Sequence, residues 1–491
     1  MACLTLSGSP SLTPAGAPRC PVPWSTFELR LDLHPDAALP PVGDLPAIYT
    51  CRRQRDGGRY AGSENERAAV LRRALVACRP DDCVDVEWDS DFRDWPRRHP
   101  GSGFILSYHN LSATPPDLPG IFARMTALPA REYKIITAAQ TWRDVVAIKR
   151  LLVDARSRGV PLTAYCSGLL GPASRLLALA WGTRRLYLAA EAPLVSGMLT
   201  AEEFFGVFRA QRITAASRLY GVVGHPVDRS LSPCLHNWFF ERRGSPDLYV
   251  FLPAPDPDDF LAALPDLDIA GLSVTVPLKE RLLGLCASCS DEALRIRAVN
   301  TLTRSGCGWR GDNTDWSGFR DGTAGFLGAA GPVLVLGAGG SARAVLYALE
   351  LAGVEPFVWN RGRERLKRLL ADYPAGRPWG ASPATAVRAV VNTLPPDAPV
   401  GLDDVGLSGH PPVPVFDLNY GPPASRIPGE AAARGWPVRD GLSMLYHQAL
   451  AQHRRWTGGD APVGWDEARE LLLQAVRERL SDAGSPFGGS I

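Results

Sequence analysis

At 491 residues the chain is too long for one ordinary hydrophobic core and predicts two or three domains. Its 53 Lys and Arg nearly balance 51 Asp and Glu, so no charge excess calls for nucleic acid or an acidic surface as partner. MACLTLSGSPSLTPAG at the start has neither a basic n-region nor a sustained apolar run, and no segment is long enough to span a bilayer, so a cytoplasmic chain without a membrane partner is expected. Ten cysteines in such a length need no disulfide framework and are expected as thiols.

In the first half, short apolar runs recur at Ala2–Leu6, Thr26–Leu31, Ala47–Cys51, Cys83–Trp88, Phe104–Ser107, Tyr133–Thr137, Val160–Ala164 and Arg185–Leu188. Read as strands, with helical patterns at Glu64–Ala77, Thr141–Arg158 and Thr200–Ser217, they predict an α/β fold with a (β/α)8 barrel over residues 1–217. The barrel is trimmed: helices after strands one, two and four look short or absent, and Ser7–Pro23 is a Pro/Ser/Gly loop.

Alternation puts Glu28, Arg30 and Asp32 on one side of a strand, and Asp85 with Glu87 on one side of another. Charge at period two within apolar strands is costly unless it lines a polar site. Arg52, His109 and Lys134 fall at or near predicted strand ends, where a barrel builds its active site. A desolvated lysine there can attack a ketone to give a Schiff base, and a histidine can remove a proton α to the iminium.

FELRLD at 27–32, TCR at 50–52, VDVEW at 84–88, SYHN at 107–110, YKI at 133–135 and SRLLALAWG at 174–182 together resemble type I 3-dehydroquinate dehydratase. The resemblance implies Lys134 as the Schiff-base lysine, His109 as general acid/base and Glu87 as the partner that orients it. It implies Glu28, Arg30, Arg52 and Arg175 as substrate-binding residues, with Arg175 a clamp for a carboxylate. The family's covering loop reads Ser-Ala-Pro-Gly-Gln, whereas this chain has EAPLVSGML at 191–199.

No Pro/Gly linker separates the halves: Thr200–Ser217 reads as a helix running almost directly into a strand at Leu219–Val223. YGVVGHPVDRSLSPCLHNWFF (220–240) reads strand, loop, helix, with Ser230 and Ser232 before the helix, where hydroxyls cap it or hold a carboxylate. GLSVTVPLKE (271–280) places Thr275 and Lys279 after a strand, and AVNTL and GDNTD add Asn300 and Asp315. Cys286 and Cys289 form a C-x-x-C, but no second pair or histidine cluster completes a zinc site, so both are expected on a helix and no metal is expected.

Val333–Ala344, VLVLGAGGSARA, is a strand, a tight turn and a helix start. Gly337 lets the chain turn, Gly339 admits a pyrophosphate and Ala342 lets the helix pack close, which is the G-x-G-x-x-A dinucleotide fingerprint. About 20 residues on, where an acidic residue would take the NAD ribose, stand Asn360 and Arg361, with Arg365 one turn later. A cation without a carboxylate suits a 2′-phosphate, hence NADP.

This ordered set resembles shikimate dehydrogenase over 219–480. The resemblance implies Lys279 and Asp315 as the catalytic pair. Ser230, Ser232, Thr275, Asn300, Tyr420 (in DLNYGP) and Gln448 (in DGLSMLYHQAL) would bind substrate. Gly337, Ala338, Gly339, Gly340, Ser341, Ala342, Asn360, Arg361, Arg365, Asn392 and Gly441 would bind the cofactor. Ser273 stands where many bacterial relatives have asparagine. As hydride reaches a ketone carbon the oxygen needs a proton, which an ammonium can supply and a carboxylate can orient. Which of the two moves the proton stays open.

The expected organisation is a dehydratase barrel at 1–217, a substrate-binding domain at 218–324, a Rossmann-type NADP domain at 325–440, returning helices at 441–480 and a disordered tail at 481–491. The expected function is bifunctional: 3-dehydroquinate to 3-dehydroshikimate, then to shikimate with NADPH. Expected partners are these small molecules, and a homodimer is compatible with the chain. Two other readings stay open: a shikimate or quinate dehydrogenase with an inactive barrel, and an NADP-binding scaffold without turnover.

Overall fold

The computed structural model describes residues 2–6, 25–39, 44–190, 193–306, 308–328, 331–380, 387–421 and 425–481. The expected Ser7–Pro23 loop, Glu191 and Ala192 of the covering loop, and the tail beyond Ser481 lie outside them. The described chain forms two compact units, the first of residues up to Leu219 with Pro246–Ile269, the second of Tyr220–Ser245 with residues 270–481.

The first unit is built on eight parallel strands: β1 Ala2–Leu6, β2 Thr26–Arg30, β3 Ala47–Thr50, β4 Cys83–Glu87, β5 Phe104–Asn110, β6 Glu132–Ala138, β7 Leu162–Ser167 and β8 Leu186–Ala189. They run in chain order from β7 back to β1, and β8 pairs with β1, which gives a nearly closed barrel. Between β7 and β8 there is no ladder among the described residues. The seam is sewn by Arg184 N–H donating to Leu162 O (2.9 Å), Arg185 N–H to Thr163 Oγ1 (3.1 Å) and Ala164 N–H to Thr183 Oγ1 (3.1 Å).

The helices are α1 Glu64–Ala77, the four-residue α2 Trp95–Arg98, α3 Leu118–Thr126, α4 Trp142–Ser157 and α5 Gly171–Trp181. Capping boxes at Ser63–Glu66 and Thr141–Asp144 satisfy N–H groups that would otherwise lack partners at the starts of α1 and α4. Thr200–Ser217 is not the continuous helix expected. A π turn at Glu203–Val207 buries Phe204, and Arg209, at φ 51°, ends it before a single 3-10 turn at Ala210–Arg212.

The second unit begins with β9, Leu219–Gly224, and α6, Ser232–Arg242. The intervening β10, Leu248–Pro253, and α7, Pro257–Ala263, belong to the first unit. There α4 holds them through Trp142, whose N–H donates to Asp259 (2.7 Å) and whose indole donates to Pro253 O (2.9 Å). β11 Ile269–Val274, β12 Ser288–Cys289, α8 Asp291–Ile296, β13 Thr301–Ser305, β14 Gly308–Asp312 and α9 Asp315–Gly322 follow, with strands side by side in the order β9, β11, β13, β14, β12. Cys286 and Cys289 are not on a helix: Cys286 ends a 3-10 turn, its thiol donating to Leu282 O (3.2 Å), and Cys289 is in β12.

A second sheet, all parallel, comprises β15 Val333–Leu336, β16 Pro356–Trp359, β17 Arg377–Pro378, β18 Ala389–Asn392, β19 Val415–Asp417 and β20 Val438–Arg439, in the order β17, β16, β15, β18, β19, β20. Helices α10 Gly340–Leu351, α11 Arg363–Asp372 and α12 Arg426–Ala433 accompany it. Its central strand, β15, is wholly apolar, as a sheet covered on both faces requires. The chain then enters α13, Leu442–Thr457, and α14, Trp465–Ser481. Gly318 and Gly322 let α9 lie close on α13: a Cβ on Gly318 would stand 2.6 Å from Gln448 Cβ. No helix among the described residues is long and apolar enough to cross a membrane.

Candidate active sites

Inside the barrel, where branched apolar side chains would ordinarily fill the space, the strands carry a buried charge network. Lys134 Nζ lies 3.3 Å from Asp85 Oδ2 and 3.5 Å from Glu28 Oε1, above the Tyr187 ring at 3.8 Å. Asp85 also accepts from Ser107 Oγ (2.6 Å) and Arg52 (2.6 Å). Burial raises its carboxyl, but Arg52 and Lys134 outweigh that and hold it below the usual range. Glu28 accepts from Thr5 (2.8 Å) and Thr50 (3.0 Å). Ser107 faces Lys134 across β5 and β6, and His109, two residues further on, shares its side of the strand.

His109 is half-buried, and its Nδ1 has no hydrogen-bond partner among the described residues. Burial, then Arg52 and Lys134, lower its pKa well below the ordinary value, which leaves a neutral imidazole able to accept a proton. The expected His109–Glu87 contact is not made. Arg52 holds one Glu87 oxygen (2.9 Å) and Arg67 the other (2.5 Å), because two guanidiniums outcompete a neutral ring for a buried carboxylate. Arg67, wholly buried on the core side of α1, was missed from the sequence. Its signal was a cation four residues before Leu71 on a face otherwise apolar.

Arg30 is paired bidentately with Asp32 (2.8 and 2.7 Å). Arg175, on α5, is 2 % exposed, stacks over Tyr165 at 4.3 Å, and leaves its Nε without a hydrogen-bond partner among the described residues. Burial lowers its pKa. A cavity of about 560 Å³ opens past the ends of β6 and β7, lined by Gln140, Ser167, Val195 and Asp259 among others. The covering loop seats on the β7–α5 turn through Gly197, whose φ is 76° and where a Cβ would meet Gly168 O at 2.7 Å.

In the second unit, Lys279 Nζ donates to Asp315 Oδ2 (2.6 Å) and lies 3.2 Å from Ser341 Oγ in the glycine loop. Asn300 donates to the other Asp315 oxygen (2.7 Å) and to Thr314 Oγ1 (3.0 Å), with Gln448 Oε1 at 3.4 Å. These side chains come from the loop after β11, the residue before β13, the first turns of α9 and α10 and the middle of α13. Ser230 and Ser232 stand at the start of α6, with Ser232 N–H donating to Ser230 Oγ (3.2 Å), and Thr275 follows β11. Tyr420 packs beside the apolar cluster of α6, α13 and α14.

The glycine loop adopts the turn its sequence demands. Gly337 has φ 116°, and a Cβ there would collide with Thr393 Oγ1. A Cβ on Gly339 would meet nothing, so the backbone is open to a close approach, while one on Gly340 would lie 3.2 Å from the Lys279 side chain. Ala338 packs on the sheet core, and Ala342, in the first turn of α10, is fully buried in that core. Asn360 turns its amide onto Gly362 O (2.9 Å), and Arg361 and Arg365 are exposed without an ion pair among the described residues. Asn392 is buried and donates to Asp417 (3.0 Å). Gly441 lies against Leu418 O, which leaves no room for a Cβ.

A polar-cored barrel with an interior lysine, and a two-sheet α/β unit with a Lys–Asp pair beside a dinucleotide turn, define a two-site enzyme. Comparison with known proteins agrees. The family model for type I 3-dehydroquinase matches residues 22–214, and that for the shikimate dehydrogenase substrate binding domain matches residues 222–302. The chloroplastic bifunctional 3-dehydroquinate dehydratase/shikimate dehydrogenase of Arabidopsis thaliana is 30% identical over 457 residues, 85% of this chain and 74% of that one. A shikimate dehydrogenase (NADP(+)) of Acidiphilium cryptum is 39% identical over 264 residues, 50% of this chain and 92% of that one. The solved Thermus thermophilus shikimate 5-dehydrogenase, in complex with NADP(H) and shikimate, is 35% identical and covers 52% of this chain and 99% of its own, with a TM-score of 0.46. The chain belongs to the family of bifunctional 3-dehydroquinate dehydratase/shikimate dehydrogenases.

Proposed function

We propose that residues 1–217 dehydrate 3-dehydroquinate through an imine on Lys134, and that the remainder reduces the product, 3-dehydroshikimate, to shikimate with NADPH. In this reading 218–324 and 441–480 form the substrate side and 325–440 the NADP side. The observation that carries it is the pair of separate lysine centres, each with its own carboxylate: Lys134 on Asp85 and Lys279 on Asp315.

In the barrel, the Lys134 amine adds to the ketone and water leaves as the imine forms. Neutral His109 takes the proton α to the iminium and returns it to the departing hydroxyl, which leaves as water. Hydrolysis of the imine releases the enone and restores Lys134. Arg175, a buried cation with an unused donor, receives the substrate carboxylate. Binding at Arg30 and Arg52 exchanges their present carboxylate partners for substrate oxygens.

The glycine loop fits a dinucleotide phosphate: Gly339 is open and the N-terminus of α10 is adjacent. Arg361 and Arg365, exposed and without an ion pair among the described residues, fit a 2′-phosphate, which supports NADP over NAD. The cofactor supplies the hydride. Lys279 and Asp315 hold the ketone oxygen and deliver the proton that makes it a hydroxyl, while Asn300 and Gln448 fix the ring's other oxygens. The partners are then small molecules, and a cytoplasmic setting accords with cysteines that are all free thiols among the described residues.

One cuvette tests the whole reading: purified protein, 3-dehydroquinate and NADPH, followed for loss of NADPH. Steady consumption is expected. Silence that 3-dehydroshikimate relieves would leave the dehydrogenase standing and sink the barrel assignment.

A further inference from the structure

Beneath the Lys279–Asp315 pair lies a side chain that no motif singles out. Gln452, one turn after Gln448 on α13, is 1 % exposed and has all four of its hydrogen-bonding positions filled. Its Nε2 donates to Asn300 O (3.0 Å) and to Thr301 Oγ1 (3.0 Å). Its Oε1 accepts from Ser273 Oγ (2.8 Å) and is 3.2 Å from His236 Nε2. Burial, then the neighbouring His453, lowers the His236 pKa to about 3, so the ring is neutral. Because Gln452 Nε2 is committed to Asn300 O, the oxygen facing the ring selects the tautomer with the proton on Nε2. With donors on one side and acceptors on the other, the Gln452 amide has one allowed orientation.

That orientation propagates. Thr301 Oγ1 accepts from Gln452 and donates to Asn300 Oδ1 (2.7 Å), a shorter contact than the 3.3 Å to its other hydroxyl neighbour, Thr314 Oγ1. Thr314 N–H donates to the same oxygen (2.7 Å). Asn300 is thereby fixed with Nδ2 toward Asp315 Oδ1 (2.7 Å), which leaves Asp315 Oδ2 for Lys279 (2.6 Å). An Asn300 amide turned the other way would set a carbonyl oxygen against a carboxylate. We propose that Gln452 is a positioning residue of the dehydrogenase: through Thr301 it sets the polarity of the Asn300 amide, and through Asn300 the geometry of the Lys279–Asp315 pair.

The relay also accounts for Ser273. Ser273 and Thr301 are direct partners across β11 and β13, so an asparagine at 273 could carry its amide to Thr301 Oγ1 unaided. Serine is too short to do so. In this chain Gln452 supplies the amide and Ser273 holds it. The two positions therefore form an exchangeable pair, one carboxamide delivered from the strand or from the helix.

The inference rests on the proposed dehydrogenase reading, and the full-length chain tests both by NADP-dependent oxidation of shikimate, with 3-dehydroquinate dehydration as internal control. Gln452→Ala should lower kcat about tenfold, the effect of leaving buried partners unsatisfied, and change the shikimate KM by less than about twofold. Ser273→Asn/Gln452→Ala should recover most of that loss. A folded Gln452→Ala protein with an unchanged kcat overturns the relay, as does a double variant no better than the single one. If Gln452→Ala does not fold, Ser273→Ala, which removes only the donor to Oε1, must give the same kcat-selective loss on a smaller scale, or the relay is wrong. A wild-type chain that does not oxidise shikimate overturns the dehydrogenase reading and the relay with it.

Discussion

In the barrel, Lys134, Asp85, Glu28 and Ser107 all stand inside strands, each fixed by ladders on both sides. In the second unit, Lys279 follows a strand, Asn300 precedes one, and Asp315 is the first residue of α9. The first arrangement is rigid, and nearly every charge in it is already paired: Arg30 with Asp32, Arg52 with Asp85 and Glu87, Arg67 with Glu87. The second is assembled from element ends and keeps its spare cations, Arg361 and Arg365, outside. Compensation before substrate arrives makes the barrel a place where binding exchanges partners. The element-end site is one where binding adds them.

The hardest break in this comparison is to remove one lysine at a time. Lys134→Ala should cost dehydration on the order of 10⁴-fold or more, as loss of a covalent nucleophile does, while shikimate oxidation stays within about twofold because the partners of the lysine, Asp85, Glu28 and the Tyr187 ring, all belong to the barrel. Substrate with borohydride should add mass to Lys134 in the wild type and none in the variant, read by peptide mass spectrometry. Lys279→Ala should do the reverse, lowering shikimate oxidation by about 10²–10⁴-fold, the usual reach of acid–base assistance, with dehydration untouched. Should either substitution silence both reactions, the two sites are not the independent centres described.

The difference between the two sites also decided how much the sequence revealed. Eight strands were legible because apolar runs with charges at period two have one reading in a barrel, and Glu28, Asp85 and Lys134 inherit their facing from that period. What escaped was who pairs with whom: Glu87 has two arginine partners rather than His109, and Arg67 reaches it from a helix that pattern alone describes as packing. In the second unit Lys279, Asp315 and the glycine loop were legible as motifs. Gln452 was not, because its importance lies in a register between β11 and β13 and in the approach of α13, neither of which periodicity encodes. The Thr200–Ser217 segment misled because Phe204 and Phe208 have helical spacing, yet the turn they bury is a π turn.

A gentler break uses pH. The usual His236 pKa is 6.5, and burial brings the folded value to about 3, so the unfolded chain binds the extra proton. Stability from a neutral His236 is therefore complete above 6.5 and is lost as pH falls toward about 3, at up to roughly 1.4 kcal/mol per pH unit. His109 has a shift of the same sign in the barrel, so wild type alone does not separate the units. His236→Leu does: its urea midpoint, compared with wild type, should lag at about pH 7.5 and draw level as pH is lowered to about 5. A gap that stays constant with pH would mean that His236 is not held neutral.

The smallest effect probes the exposed end of the second site. Arg361→Ala should raise the KM for NADP about tenfold, roughly 1.4 kcal/mol, and leave NAD little changed; Arg365→Ala should do less, since it stands a turn further from the end of β16. Both cations are exposed, so their hold on a 2′-phosphate is screened by salt in a way the buried barrel pairs are not. Raising ionic strength from about 0.1 to about 1 M shortens the Debye length from about 10 to about 3 Å. The wild-type preference for NADP over NAD should then fall toward that of the variant, while the dehydration rate, set by buried charges, moves far less. A preference that survives both the salt and the double Arg361→Ala/Arg365→Ala substitution would place the 2′-phosphate on other residues.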